Sequence, residues 1–110
     1  MAADARKGSM AFVKVCSVND LKPGEALRFA ASCSVALFRV GEQFYATDDT
    51  CTHAEASLSD GYIDGDVVEC PFHSARFCIR TGKALSLPAS EPLKTYPVKV
   101  EDGSVFVDVA

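Results

Sequence analysis

An all-β fold, either an antiparallel sandwich or a small barrel, is predicted for this 110-residue chain by three observations. Apolar residues alternate with polar ones at a period of two in several short runs. Turn dipeptides rich in glycine separate those runs. No segment sustains the 3.6-residue period of a helix.

In chain order, Phe12 to Cys16 and Ala26 to Ala31 read as strands, with a short helical candidate at Ser17 to Leu21 stopped by Pro23-Gly24. Val35 to Val40 and Gln43 to Ala46 flank Gly41-Glu42 as a hairpin. A single helical turn is expected after His53. Asp64-Gly65 turns the chain between Tyr62-Ile63 and Val67 to Glu69. Tyr96, Val98 and Val100 alternate with Pro97, Lys99 and Glu101, as in one half-buried strand. Asp102-Gly103 then marks a hairpin, and Val105, Val107 and Val109 resume the alternation. Strands flanking the middle third, about 48–79, are expected to pair into a base from which that stretch projects.

The composition, 48% hydrophobic and 24% charged, is that of one globular domain large enough to bury its own core. No run approaches the length of a membrane span. Met1 to Ser9 is polar and lacks an apolar h-region, so it reads as a flexible tail or expression remnant ahead of a domain over 10–110. Five cysteines, an odd number, argue against a closed disulfide framework and for a reducing cytoplasmic compartment. Cys16, Cys33 and Cys78 lie in strand-like contexts and are expected to be small buried hydrophobes.

A net charge of −4 makes nucleic acid a poor partner. Its distribution is uneven. Between Arg39 and Arg76 there is no lysine or arginine, while Glu42, Asp48, Asp49, Glu55, Asp60, Asp64, Asp66 and Glu69 all fall there. This band is either plain solvated surface or an acidic face that steers a basic protein partner.

The chemistry concentrates in Cys51-Thr-His53 and Cys70-Pro-Phe-His73, which contain both histidines of the chain. Two thiolates and two imidazoles on two loops make a four-ligand set able to close a metal site. Zinc, a mixed-ligand iron–sulfur cluster and no metal at all are the competing readings. Matched clusters are hard to assign to chance. Zinc fingers usually pair like with like and set one half on a helix, whereas each half here mixes the two ligand types. A mixed half suits a two-iron site, in which each loop supplies one ligand to each iron.

The two clusters, together with the run from Asp60 to Cys70 and Arg80-Thr-Gly-Lys83, resemble the Rieske [2Fe–2S] signature over residues 10 to 110. They look most like the small Rieske-type ferredoxins of bacterial aromatic ring-hydroxylating dioxygenase systems. The resemblance implies an antiparallel β base with an inserted cluster-binding subdomain of two loops. It assigns Cys51 and Cys70 to one iron and His53 and His73 to the other, with Leu87-Pro88-Ala89 covering one side. It further implies a monomeric, non-enzymatic carrier working between a flavin-containing ferredoxin reductase and a terminal oxygenase. A free-standing oxygenase would need a further histidine-bound iron, and no histidine is left. The alternative by resemblance is a small Rieske subunit of another reductase, such as a nitrite reductase.

Two imidazoles in place of two thiolates leave the oxidised cluster less negative and raise its potential into a window from roughly −150 to +300 mV. High-potential respiratory relatives carry an extra cysteine in each loop and hydroxyl donors after the second. The matching positions are Ala56, Phe72, Ala75 and Phe77, so neither the bridge nor those donors can form. Without donors to sulfur the reduced state is less stabilised. Potentiometric titration is therefore expected to give a midpoint of about −150 mV, and a value above about +100 mV would contradict this reading.

Overall fold

The computed structural model describes residues 11–31, 33–50, 56–71, 75–86 and 91–109. Ten strands form three antiparallel sheets. They are β1 (Phe12–Ser17), β2 (Ala26–Ala30), β3 (Ser34–Val40), β4 (Gln43–Asp48), β5 (Tyr62–Asp64), β6 (Val67–Glu69), β7 (Arg76–Cys78), β8 (Thr95–Tyr96), β9 (Val98–Glu101) and β10 (Ser104–Asp108). Their spatial orders are β1-β10-β9, β2-β3-β4-β8 and β5-β6-β7. Helix among the described residues is confined to two single 3-10 turns, Val18–Asp20 and Leu58–Asp60. The first falls inside the expected Ser17 to Leu21 segment, where the Asp20 carboxylate accepts a hydrogen bond from Ser17 N–H.

The pairing of β4 with β8, Ala46 opposite Tyr96 and Thr47 opposite Thr95, joins the chain before the middle third to the chain after it. The third sheet, β5-β6-β7, belongs to the chain between them. β3 lies at the centre. Its Val35, Ala36, Leu37 and Phe38 are all fully buried, as expected for a continuous apolar run covered on both faces. Val35 and Leu37 point into a core shared with Cys16, Phe44, Tyr96, Val105 and Val107 of the base. Ala36 and Phe38 point the other way, into a second core with Leu58, Val68, Cys70, Phe77 and Ile79.

Two expectations are corrected. Residues 96 to 101 are not one strand. Pro97, with no N–H to donate, breaks the ladder, so Tyr96 pairs with β4 while Val98–Glu101 pairs with β10 in another sheet. Tyr96 is buried, yet Val100, on the same nominal face, is 51% exposed. Cys33 is exposed and not buried, because it lies in the connection between β2 and β3, beyond the last Ala30–Ser34 pair. The other hairpins form as read, and at the β9–β10 turn both Asp102 and Gly103 take positive φ, as a type I′ turn demands.

Gly82 holds the outer loops to the core. Its φ is +78°, and a Cβ there would lie 2.3 Å from the Leu93 carbonyl oxygen. Its N–H donates to Cys78 C=O and its own C=O accepts from Leu93 N–H, both at 2.7 Å. Gly41 also has positive φ but faces open space. Gly82→Ala is expected to destabilise the protein by about 2–4 kcal/mol, from left-handed strain plus overpacking. Gly41→Ala should cost about 1 kcal/mol, from strain alone. Equal shifts of the two variants in urea unfolding would contradict the close approach at Gly82.

Candidate metal centre

Two loops that contain the Cys–His clusters are each closed at the base by backbone hydrogen bonding. An antiparallel bridge joins Thr50 to Ser57, and Leu58 N–H donates to Asp49 C=O at 2.7 Å. In the second, Glu69 pairs with Arg76, and Cys70 N–H donates to Ala75 C=O at 2.7 Å. Cys51 and His53 fall within the first loop and His73 within the second, and all three lie outside the described residues, as do Phe72 and Leu87-Pro88-Ala89. The expected helical turn after His53 is described only from residue 56 onward, where the turn Leu58–Asp60 forms.

Cys70 is the predicted ligand that the described residues contain. It directly follows β6 and is 1% exposed, in one buried cluster with Ala56 and Leu58 of the first loop's base and Ala75 of the second's. The bases of the two loops that contain the candidate ligands therefore pack in one buried cluster. Gly61 permits the contact, since a Cβ there would sit 2.3 Å from the Glu69 carbonyl oxygen. Only a residue without a side chain lets the Leu58–Asp60 turn approach the peptide beside Cys70 so closely.

The donor chemistry fits an iron–sulfur site. A cysteine with almost no exposed surface, set among aliphatic and aromatic side chains, is a soft ligand shielded from water. Ala56, Ala75 and Phe77 are buried in the same cluster and place no hydroxyl in it. The nearby hydroxyls of Ser57 and Ser59 hydrogen-bond to each other, and that of Ser57 also donates to Asp49. Among the described residues no group of three or more His, Cys, Asp or Glu side chains is arranged to hold a metal elsewhere.

The remaining cysteines are separate from this cluster. Cys16 is buried in the base core, where loss of solvent and the nearby Asp20 push its thiol above the ordinary range. Cys78 is half-buried, and a hydrogen bond with the Thr81 side chain draws its thiol below that range. Cys33 Sγ lies 3.2 Å from Tyr96 Oη, which donates to Asp48 Oδ1. Burial, with those two neighbours, raises the Tyr96 phenol well above its usual value.

The acidic band divides on inspection. Asp49 is buried and serves the fold. Glu42, Glu69 and Asp66 form ion pairs with Arg39, Arg76 and Arg80. Asp60 and Asp64 stay exposed on either side of Tyr62, which at 69% is the most exposed large hydrophobic residue among those described. Sequence reasoning counted Asp49 with the surface charges. Its role carried no local signal, because its partners lie eight and ten residues further on, across the first loop.

Among the described residues no helix is long and apolar enough to cross a membrane. The Rieske [2Fe-2S] domain model matches residues 11–97. Over 98 residues the chain is 54% identical to the 3-phenylpropionate/cinnamic acid dioxygenase ferredoxin subunit of Escherichia coli (strain K12), spanning 88% of this chain and 92% of that protein. A chain in the complex of reduced oxygenase and oxidized ferredoxin in carbazole 1,9a-dioxygenase is 47% identical, with a TM-score of 0.86 over 88% of this chain and 92% of that one. Sphingomonas yanoikuyae B1 ferredoxin is 40% identical, with a TM-score of 0.86 over 91% of this chain and all of that one. With this fold, these loops and these relatives, the chain belongs to the Rieske [2Fe-2S] domain family, as one of its small electron-carrying ferredoxins.

Proposed function

We propose that Cys51, His53, Cys70 and His73 hold one [2Fe–2S] cluster, and that the protein carries single electrons from a flavin-containing reductase to the terminal oxygenase of an aromatic ring-hydroxylating dioxygenase. The observation that carries this reading is the burial of Cys70 where the bases of both ligand-bearing loops pack together. The bound cluster supplies one-electron redox chemistry. The chain's own residues do the rest. Cys70 offers a thiolate out of water. Among the described residues, Ala56, Ala75 and Phe77 are buried with Cys70 and bring no hydroxyl to it, which favours a low potential. The imidazoles of His53 and His73 coordinate in the neutral form, each through one nitrogen, leaving the other free to donate to a partner.

The domain is read as residues 10 to 110, with a cluster-binding subdomain at about 48–79. β9 and β10 lie beyond the matched segment, but β10 pairs with both β9 and β1, which supports including them. A carrier that alternates between two partners is read as a monomer working in the cytoplasm. Asp60 and Asp64 beside Tyr62 make an acidic, aromatic surface on the sheet that bears Cys70, suited to a basic partner.

Three measurements check this reading. The dithionite-reduced protein should give a rhombic paramagnetic resonance signal of low average g, and a silent spectrum at full iron occupancy would contradict it. Cys51→Ser should abolish cluster assembly while Cys33→Ser leaves it intact, because Cys33 is exposed, contacts Asp48 and Tyr96, and lies outside the buried group that contains Cys70. Asp60→Asn with Asp64→Asn should slow reduction by the reductase, or oxidation by the oxygenase, by about threefold to tenfold at low salt, with the difference vanishing at high salt. A salt-independent rate would remove these carboxylates from docking.

A further inference from the structure

Asp49 is 2% exposed and sits two residues before Cys51. Its Oδ2 accepts from Ser57 Oγ at 2.5 Å and its Oδ1 from Ser59 N–H at 2.9 Å. Its backbone N–H donates to Ser34 C=O at 3.0 Å, and its C=O accepts from Leu58 N–H at 2.7 Å. One residue thus ties the start of the first ligand loop to its end and to the neck of β3. Arg28 lines the same groove, yet among the described residues no ion pair reaches Asp49. Among the described residues its carboxylate accepts hydrogen bonds from the neutral donors Ser57 Oγ and Ser59 N–H alone.

A buried charge lacking a counter-ion acts on its surroundings with little screening. Reduction adds one electron to the cluster, with no bond made or broken and no proton required. That added negative charge is disfavoured beside a fixed carboxylate. We propose that Asp49 is a positioning residue for the first ligand loop, and that its buried negative charge holds the reduction potential down. This rests on the reading of Cys51 and His53 as cluster ligands. It adds a second cause of low potential, independent of the missing hydroxyl donors.

Asp49→Asn separates charge from shape. The amide oxygen still accepts from Ser59 N–H, and the amide nitrogen can donate to Ser57 Oγ, which accepts equally well. The holoprotein should keep its rhombic resonance signal. Its reduction equilibrium constant should rise about tenfold, equivalent to about 59 mV for one electron. An unchanged or lower potential overturns the electrostatic role. Ser57→Ala keeps the carboxylate but removes a donor that offsets its charge. It should lower the potential, and it decides the matter if the Asn variant assembles no cluster, since an unchanged or higher value overturns the proposal. The same variant should lose its cluster several-fold faster on heating, and a wild-type rate of loss overturns the positioning role. Failure of the ligand reading looks different, as a cluster retained by Cys51→Ser.

Discussion

A single strand buried on both faces is the constraint from which the rest of this structure follows. Val35 and Leu37 of β3 fill the core of the base, while Ala36 and Phe38 fill the core beneath the ligand loops. Each side chain is removed from water, at about 25 cal/mol for every Å² of apolar surface. Because the side-chain period is two, slipping β3 by one residue would exchange the two sets and misfit both cores at once. The base and the cluster-bearing part are therefore fixed by one register and cannot shift independently.

The described bases of the two Cys–His loops are tied to the same strand. Asp49 follows β4, the partner of β3, and is bonded to Ser34 at the start of β3. Cys70 directly follows β6, whose Val68 packs in the same core as Phe38. An electron carrier gains when its redox centre changes little in shape on reduction, since rearrangement slows transfer. Loop bases closed by hydrogen bonds and packed in one close-packed core meet that need.

The same construction places polar groups with economy. Next to Cys70 the environment is alanine, leucine, valine and phenylalanine. The hydroxyls of Ser57 and Ser59 are turned to each other and to Asp49. Ion pairs with Arg39, Arg76 and Arg80 occupy three of the carboxylates between those arginines. Surface pairs of this kind contribute little stability, but they remove charges from the field that a partner meets. Within this band, Asp60 and Asp64 beside Tyr62 stay exposed and outside those ion pairs.

Sequence by itself determined the strands whose alternation or turn chemistry is local. The hairpins at Gly41-Glu42, Asp64-Gly65 and Asp102-Gly103 were readable because φ preference and side-chain period act within a few residues. It also marked a candidate ligand set, because Cys and His gathered at matched spacing are rare. Tertiary structure alone decided where Pro97 hands the chain from one sheet to another, why Cys33 is exposed, and which carboxylate is buried. Those outcomes depend on partners far along the chain. Asp49 meets Ser57 and Ser59 only after the first loop has closed, and Tyr96 meets Cys33 across 63 residues. Local propensity carries no record of such meetings, because they exist only once the two cores have been packed on either side of β3.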